Sequence, residues 1–499
     1  MHRMTVTHSL FLFFVLTLLT ACGGDSNHSA ALSADDVNLI FVVSPDVAYN
    51  TPGDINPDTA NLSNQGLQRS LMMATYLKQQ LLGGKNVTGI YTISPMSHLQ
   101  TEDNYPDMAA IGFIQQFALL NQITLSIDAK RNTYTGNNYP IKVSYAEGGV
   151  PAGVAEPTPP LPGAPGYCPD CTGLDFDNAG GNNDTLVSAI IDNRTPGYYV
   201  FSAPWETIDG LLKYINTRYG FNLTLPATYR GTNYIYAISI PSSGSASLAT
   251  YNSGLNPPAS YPVLPSPVES SACTNRFQPY FSTTRIGGVN GVTLPSGINT
   301  NSRVYIVRHA EAHPDPGFKF ENGNYVAAGQ WRALSLPDAL RGKISPDVVY
   351  SIDPADTWYP TRDGNVSYVR PSLTVLPYAI ANNLPYYLAA DLSIGSAFTP
   401  TDENIAQNTS DYFFTGGKFS NQTVLVAWES GHIKPFIKTL IESYGGDYQP
   451  LPEDWTDWPA EDYDTIWTVA IDDQGNLSVD NALCEGIDSE RLPATAPLF

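Results

Sequence analysis

Residues 301–316 read NSRVYIVRHAEAHPDP, and Arg308 and His309 follow directly on the apolar run Val304-Tyr305-Ile306-Val307. A neutral imidazole can attack phosphorus, and a guanidinium fork matches phosphate oxygens two at a time. A short β-branched run closed by small and turn-forming residues predicts a buried parallel strand. Open α/β sheets bind ligands just beyond the carboxyl ends of such strands. The pair therefore stands where a phosphate-handling site would be built, and a parallel sheet must carry it.

The stretch from Val304 to Glu311 resembles the opening signature of the histidine phosphatase superfamily, which includes the phosphoglycerate mutases and acid phosphatases. The resemblance implies an α/β fold in three α/β/α layers. It also implies that His309 is the nucleophile that takes the phosphoryl group and that Arg308 holds its oxygens. A second family arginine maps onto Arg370 in Ser367-Tyr368-Val369-Arg370-Pro371-Ser372. A helix N-terminus favours phosphate through its N–H groups and dipole, and Pro371 suits a first turn, so Arg370 fits on independent grounds. Arg362, eight residues earlier, is its rival. The second family histidine maps onto His432, two or three residues later than the pattern asks. There it would cap the helix it opens and donate to a phosphate oxygen. A carboxyl whose pKa is raised in a closed pocket protonates the leaving oxygen. Asp391 lies where phosphoglycerate mutase-like members carry that acid, and Glu429 is the rival. This chemistry requires no metal or other cofactor, and its substrate would be a small phosphorylated molecule.

The balance of 25 basic against 47 acidic residues, a net charge of −22, argues against nucleic acid and against anionic membrane surfaces as partners. The global field does not steer an anion inward, so a phosphate site must be a local basic pocket. The chain has 499 residues, beyond the size at which single cores stop growing, and this length predicts two domains.

The first residues read as targeting sequence. Leu10 to Leu19 is an apolar core, and Leu19-Thr20-Ala21-Cys22 fits the bacterial lipoprotein cleavage box. This predicts a signal peptide over residues 1–21, a lipid on Cys22 and a flexible tether over residues 22–35. The protein would then be held by lipid in the bacterial cell envelope. Gly23 after the cysteine points to the outer membrane by resemblance to other lipoproteins. Such a compartment permits disulfides, and Cys168, Cys171, Cys273 and Cys484 allow three pairings. Cys168-Pro169-Asp170-Cys171 is open to zinc as well, but its Pro/Gly-rich setting favours a structural disulfide over a metal.

The mature chain reads as two copies of one pattern. Residues 37–44 correspond to Val304–Val307 and their sequel, with Val43-Ser44 in place of Arg308-His309. Residues 62–71 resemble 327–334, residues 87–94 resemble 346–352, residues 109–121 resemble 370–382, and residues 198–220 resemble 423–445; strands 234–238 and 465–469 close the copies. Ala109 then faces Arg370, and Thr207 faces His432. The expected organisation is a degenerate copy over residues 36–256, with a Pro/Gly-rich insertion at 148–183, a linker at 257–300 and a catalytic copy at 301–499. The fold class is α/β, with two three-layer phosphoglycerate mutase-like domains in tandem. The expected function is phosphomonoester hydrolysis through His309 in the second copy. The alternative is a catalytically inactive lipoprotein that binds or scaffolds. No motif in the sequence names the substrate.

Overall fold

The apolar run Val37–Val43 is buried at every position, and its successive residues serve two cores. Ile40 and Val42 face one core; Leu39, Phe41 and Val43 face another. A strand covered on both faces by this alternation must lie inside a sheet with helices above and below. In the computed structural model it does. The first sheet runs Ser247–Asn252, Tyr234–Ile240, Val37–Val43, Gly197–Ala203, Gly89–Thr92, Lys142–Val143 from edge to edge. Val37–Val43 is parallel to Gly197–Ala203 and antiparallel to Tyr234–Ile240.

A second sheet forms around Ser302–Arg308. Its order is Phe281–Arg285, Asn476–Cys484, Thr465–Ile471, Ser302–Arg308, Thr423–Trp428, Val348–Ser351, Tyr386–Leu388. Ser302–Arg308 is parallel to Thr423–Trp428 and antiparallel to Thr465–Ile471. Apart from the added edge strand Phe281–Arg285, the two sheets share strand order and sense. The correspondence reaches single hydrogen bonds: Ser44 N donates to Ala203 O just as His309 N donates to Trp428 O, both at 2.9 Å.

The structure describes residues 32–49, 53–126, 133–143, 173–273, 277–285, 298–313, 322–355, 357–361, 364–388, 413–414, 416–444 and 458–499. Cys22, Cys168, Cys171, Arg362 and Asp391 lie outside them, as does most of the 148–183 insertion.

Helices Asn64–Thr75, Ala109–Leu119, Ala327–Ala339 and Arg370–Asn382 fill the space between the sheets. Their apolar faces merge with Ile40 and Val42 of the first sheet and with Tyr305 and Val307 of the second in one core. Helices Asn182–Asn193 and Trp205–Tyr219 cover the outer face of the first sheet. Ser430–Tyr444 covers that of the second through Ile433, Phe436, Ile437 and Leu440. Polar ties cross the shared core: Gln115 donates to Asn324 at 2.9 Å, and Val143 N donates to Ser367 Oγ at 2.9 Å.

Three stretches differ from the sequence reading. The 257–300 segment is more than a connection: Phe281–Arg285 pairs with Asn476–Cys484, and Cys273 forms a disulfide with Cys484. Alternating polar residues in FSTTR hide an edge strand, because an edge needs only one buried face. The end of the 148–183 insertion returns to the sheet, where Leu174 bridges Ile93 and helix Asn182–Asn193 begins. Between strand Val348–Ser351 and Arg370, where the sequence reading has no strand, Thr357–Thr361 pairs with Gly364–Ser367 as a hairpin.

The helices at 64 and 327 start against the same obstacle. Gly66 lies on the carbonyl of Asp54, and a Cβ there would fall inside that oxygen; a Cβ at Gly329 would come within 2.9 Å of the carbonyl of Glu311. Each of these carbonyls accepts from the helix entry, from Ser63 N at 3.0 Å and from Val326 N at 2.8 Å, so neither can retreat freely. Gly66→Ala should therefore destabilise the fold by about 1–3 kcal/mol, the usual cost of overpacking. Denaturant unfolding measures it, and an unchanged midpoint would contradict this packing.

Candidate active site

Arg308 ends the central strand of the second sheet, and His309 follows it; both are buried. Ala310 N donates to Thr374 Oγ1 at 2.8 Å, and Thr374 Oγ1 donates to Arg370 O at 2.7 Å. One threonine, a turn into helix Arg370–Asn382, thus ties the strand end to the helix start. The N-cap residue of that helix, Val369, makes no side-chain cap, and the helix opens with Arg370 and Pro371. Strand end and helix start together place two arginines beside one imidazole.

His309 Nδ1 lies 2.8 Å from Ala310 O. A carbonyl oxygen only accepts, so Nδ1 carries the proton and Nε2 of the neutral ring keeps its lone pair. Burial lowers the His309 pKa well below the ordinary histidine value; Arg370, then Arg308, push the same way, and His313 adds to them against the pull of the Ala310 carbonyl. The ring is thus held neutral with its nucleophilic nitrogen defined. Tyr368 stands edge-on to it at 6.1 Å, and Tyr463 is tilted at 6.0 Å.

Arg308 is fixed on one side. Its Nη1 donates to the carbonyls of Ala460 at 2.9 Å, Asp462 at 3.1 Å and Pro459 at 3.3 Å, and its guanidinium lies 4.1 Å above the Tyr463 ring. Its Nε is buried with no hydrogen-bond partner among the described residues. Arg370 lies 4.6 Å above Tyr368. Each guanidinium thus rests on an aromatic face.

His432 and Glu429 form a unit beside this centre. His432 Nδ1 bonds to Glu429 Oε1, and its ring stacks on Trp428 at 5.4 Å. The expectation that His432 caps its helix is corrected: Glu429 does so, Oε2 accepting from Gly431 N at 2.9 Å. Glu429 reaches that amide because it precedes the helix, whereas His432 already lies within it. Burial raises the Glu429 pKa, but His432, the Gly431 amide and Arg308 outweigh it and hold the carboxyl below the usual glutamate range. Glu429 is thus a carboxylate and not a ready proton donor. The structure brings Arg308, His309 and Arg370 together and attaches His432 through Glu429; Asp391 lies outside the described residues.

Sequence reasoning missed Tyr368, Tyr463, Thr374, His313 and the 459–462 carbonyls. Tyr368 lies within the stretch Ser367–Ser372 and Thr374 two residues beyond it, so both were open to notice. The carbonyl clamp lies some 150 residues from Arg308, and its backbone atoms leave no mark in residue type.

No family model and no curated protein matches the chain. Among solved structures, the chain is similar over 37% of its length to all of a phosphoserine phosphatase from Entamoeba histolytica solved with 3-phosphoglyceric acid, at 14% identity and a TM-score of 0.27. It is similar to 97% of a putative alpha-ribazole-5'-P phosphatase from Escherichia coli at 17% identity, covering 37% of this chain with a TM-score of 0.22. It is also similar to 92% of the putative phosphohistidine phosphatase SixA from Agrobacterium tumefaciens at 14% identity, covering 34% of this chain with a TM-score of 0.22. These structures all belong to the histidine phosphatase superfamily, the family that the Arg308-His309 signature resembles.

The last signature residue, Glu311, serves structure. Its Oε1 accepts from Arg332 Nε and Ser489 Oγ, both at 2.8 Å. Arg332 has no exposed surface and also donates to Glu485, to Ile487 O and to Ser489 Oγ. With Asp464 at 4.0 Å, three carboxylates surround one guanidinium. Burial, joined by Asp464 and Glu311 and opposed by Arg332, pushes Glu485 up to about 8. The folded protein therefore keeps a proton that the unfolded chain loses near 4.5, and stability falls as pH rises between those values, by at most ~1.4 kcal/mol per pH unit. Glu485→Gln keeps an acceptor for Arg332 and removes the titration. Denaturant unfolding at pH 5 and pH 8 should show a larger loss in the parent than in the variant; equal losses would place the proton elsewhere.

Proposed function

We propose that the protein is a phosphomonoester hydrolase working through a phosphohistidine on His309. The observation that carries this reading is the Nδ1–H contact to the Ala310 carbonyl, which leaves Nε2 as a lone-pair nucleophile beside Arg308 and Arg370. Nε2 attacks phosphorus in line, the N–P bond forms and the P–O bond to the leaving group breaks. The phosphorylated ring keeps its Nδ1 proton, whose donation to Ala310 O strengthens as the ring gains positive character. Arg308 and Arg370 hold the equatorial oxygens, and most of the rate comes from this positioning and charge stabilisation. Water then attacks the phosphohistidine, releases inorganic phosphate and restores the ring. Because Glu429 is held as a carboxylate, the proton for the leaving oxygen is assigned to Asp391, and Glu429 orients His432.

In this reading the two sheets descend from one duplicated unit, supported by their common strand order, and only the second unit is catalytic. Val43, Ser44 and Ala109 stand where Arg308, His309 and Arg370 do. Asp107 Oδ1 accepts from Ala109 N at 2.9 Å and Ala110 N at 3.4 Å, so a carboxylate already occupies the helix start that an anion would need. Cys22 carries the lipid that holds the enzyme at the envelope. In membrane fractions, Cys22→Ser should shift the protein to the soluble pool; unchanged partition would remove the anchor from the proposal.

Purified protein should release phosphate from an aryl phosphate and, after acid-free quenching, carry an acid-labile phosphoryl group. His309→Ala should lose both; equal rates in parent and variant would overturn the assignment to His309, and no release by either would leave the non-catalytic scaffold as the reading. Asp391→Asn should slow an alkyl phosphate, whose leaving oxygen needs a proton, by about 10²- to 10⁴-fold, while an aryl phosphate slows far less. Equal slowing of both substrates would move the acid to another residue.

A further inference from the structure

The first sheet has a buried polar cluster of its own at the carboxyl ends of its strands. Asp46 lies three residues beyond Val37–Val43, His98 follows the short turn Pro95–Ser97 after Gly89–Thr92, and Asp107 precedes helix Ala109–Leu119. One ring nitrogen of His98 and one carboxylate oxygen of each aspartate lie within 4.8 Å of one another. Asp46 and Asp107 are buried, and the His98 ring is stacked on Phe176 at 3.6 Å.

The hydrogen bonds within the cluster do not satisfy it. His98 Nε2 lies 2.6 Å from Asp46 Oδ2, and Asp46 Oδ1 accepts from Ala48 N at 2.6 Å. Asp107 uses Oδ1 on the helix amides, while its Oδ2 is buried with no hydrogen-bond partner among the described residues, on a residue with no exposed surface. A buried carboxylate oxygen without a partner is costly. Protonated His98 supplies at most one positive charge against two aspartates, and burial, opposed by His98 and joined by Asp46, pushes the Asp107 carboxyl up to about 7. The site lacks positive charge and has an open acceptor.

We propose that Asp46, His98 and Asp107 bind one divalent first-row metal ion of the Zn²⁺ type. One imidazole nitrogen and two carboxylate oxygens are a donor set such ions accept. Ligands about 2.1 Å from a tetrahedral ion stand about 3.4 Å apart, so pairs spread up to 4.8 Å close toward that spacing while His98 and Asp46, at 2.6 Å, open toward it. The ion replaces the His98–Asp46 hydrogen bond and gives Asp107 Oδ2 its partner. It joins three separate connections at one point, which fixes the strand-end face of the first sheet.

The test uses the whole mature protein, stripped with a chelator and equilibrated with Zn²⁺ alone. Bound metal and the thermal midpoint are read for the parent, Asp107→Asn and His98→Gln. Asp107→Asn keeps Oδ1 for the Ala109 and Ala110 amides, and circular dichroism without metal checks that each variant folds. The parent should hold one more equivalent of zinc than either variant, and only its midpoint should rise with zinc. Zinc bound at Cys168 and Cys171 would be common to all three proteins and cancels in the difference. Equal stoichiometry in the parent and Asp107→Asn overturns the proposal, whether or not His98→Gln folds.

Discussion

The buried guanidinium of Arg332 is the constraint on which the second half depends. It reaches back to Glu311 just after the central strand and forward to Glu485, Ile487 and Ser489 near the end of the chain. It thereby locks helix Ala327–Ala339 between the two. Removing it would leave buried carboxylates without a counter-charge, and breaking a buried pair from one side is among the costliest single changes a fold can suffer. The first half solves the same problem with Arg69, which donates to Asp54 at 2.7 Å and to Asn233 at 2.6 Å. In both halves a helix arginine holds the loop that leaves the central strand, and a glycine three residues earlier lets the helix approach it. The glutamate of the signature is thus an architectural residue standing two positions from a chemical one.

The strands and helices that carry the site were legible because their residue types answer to local rules. Leu39–Val43 and Val304–Val307 are unbroken apolar runs, as a doubly covered strand requires, and Arg370-Pro371 marks a helix start by its chemistry. The exposed edge strands Ser247–Asn252 and Phe281–Arg285 were not legible, because their mixed polar residues resemble loops. The role of Glu429 was hidden for another reason. A glutamate just before a helix can be an acid, a base or a cap, and only the position of His432 decides that it caps and stays ionised. Roles that depend on a partner distant in sequence or on a backbone carbonyl leave no pattern to read.

The shared layer of four helices ties the first half to the candidate site of the second. Val143 N and Ser367 Oγ meet three residues before Arg370, and Gln115 of the first half holds Asn324, one residue after Gly323, whose carbonyl accepts from Arg370 N at 3.0 Å. The start of the Arg370 helix is thus braced by the first half as much as by its own sheet. Loss of the first half would expose the common apolar core and release that brace together.

The two strand-end faces use one geometry with different charged groups. In each half a helix N-terminus points toward the end of the central strand, and its dipole offers partial positive charge there. In the second half that charge is joined by Arg308 and Arg370, which push the His309 proton off and create a place for an anion within a chain of net charge −22. In the first half Asp107 consumes the helix amides, and Asp46 stands close by with His98 in hydrogen-bond contact, so two carboxyls and one imidazole replace two guanidiniums. Four exchanges at fixed positions, Val43 for Arg308, Ser44 for His309, Ala109 for Arg370 and Asp107 for Tyr368, remove two guanidiniums and add a carboxyl, and Asp46 and His98 complete the difference between the faces.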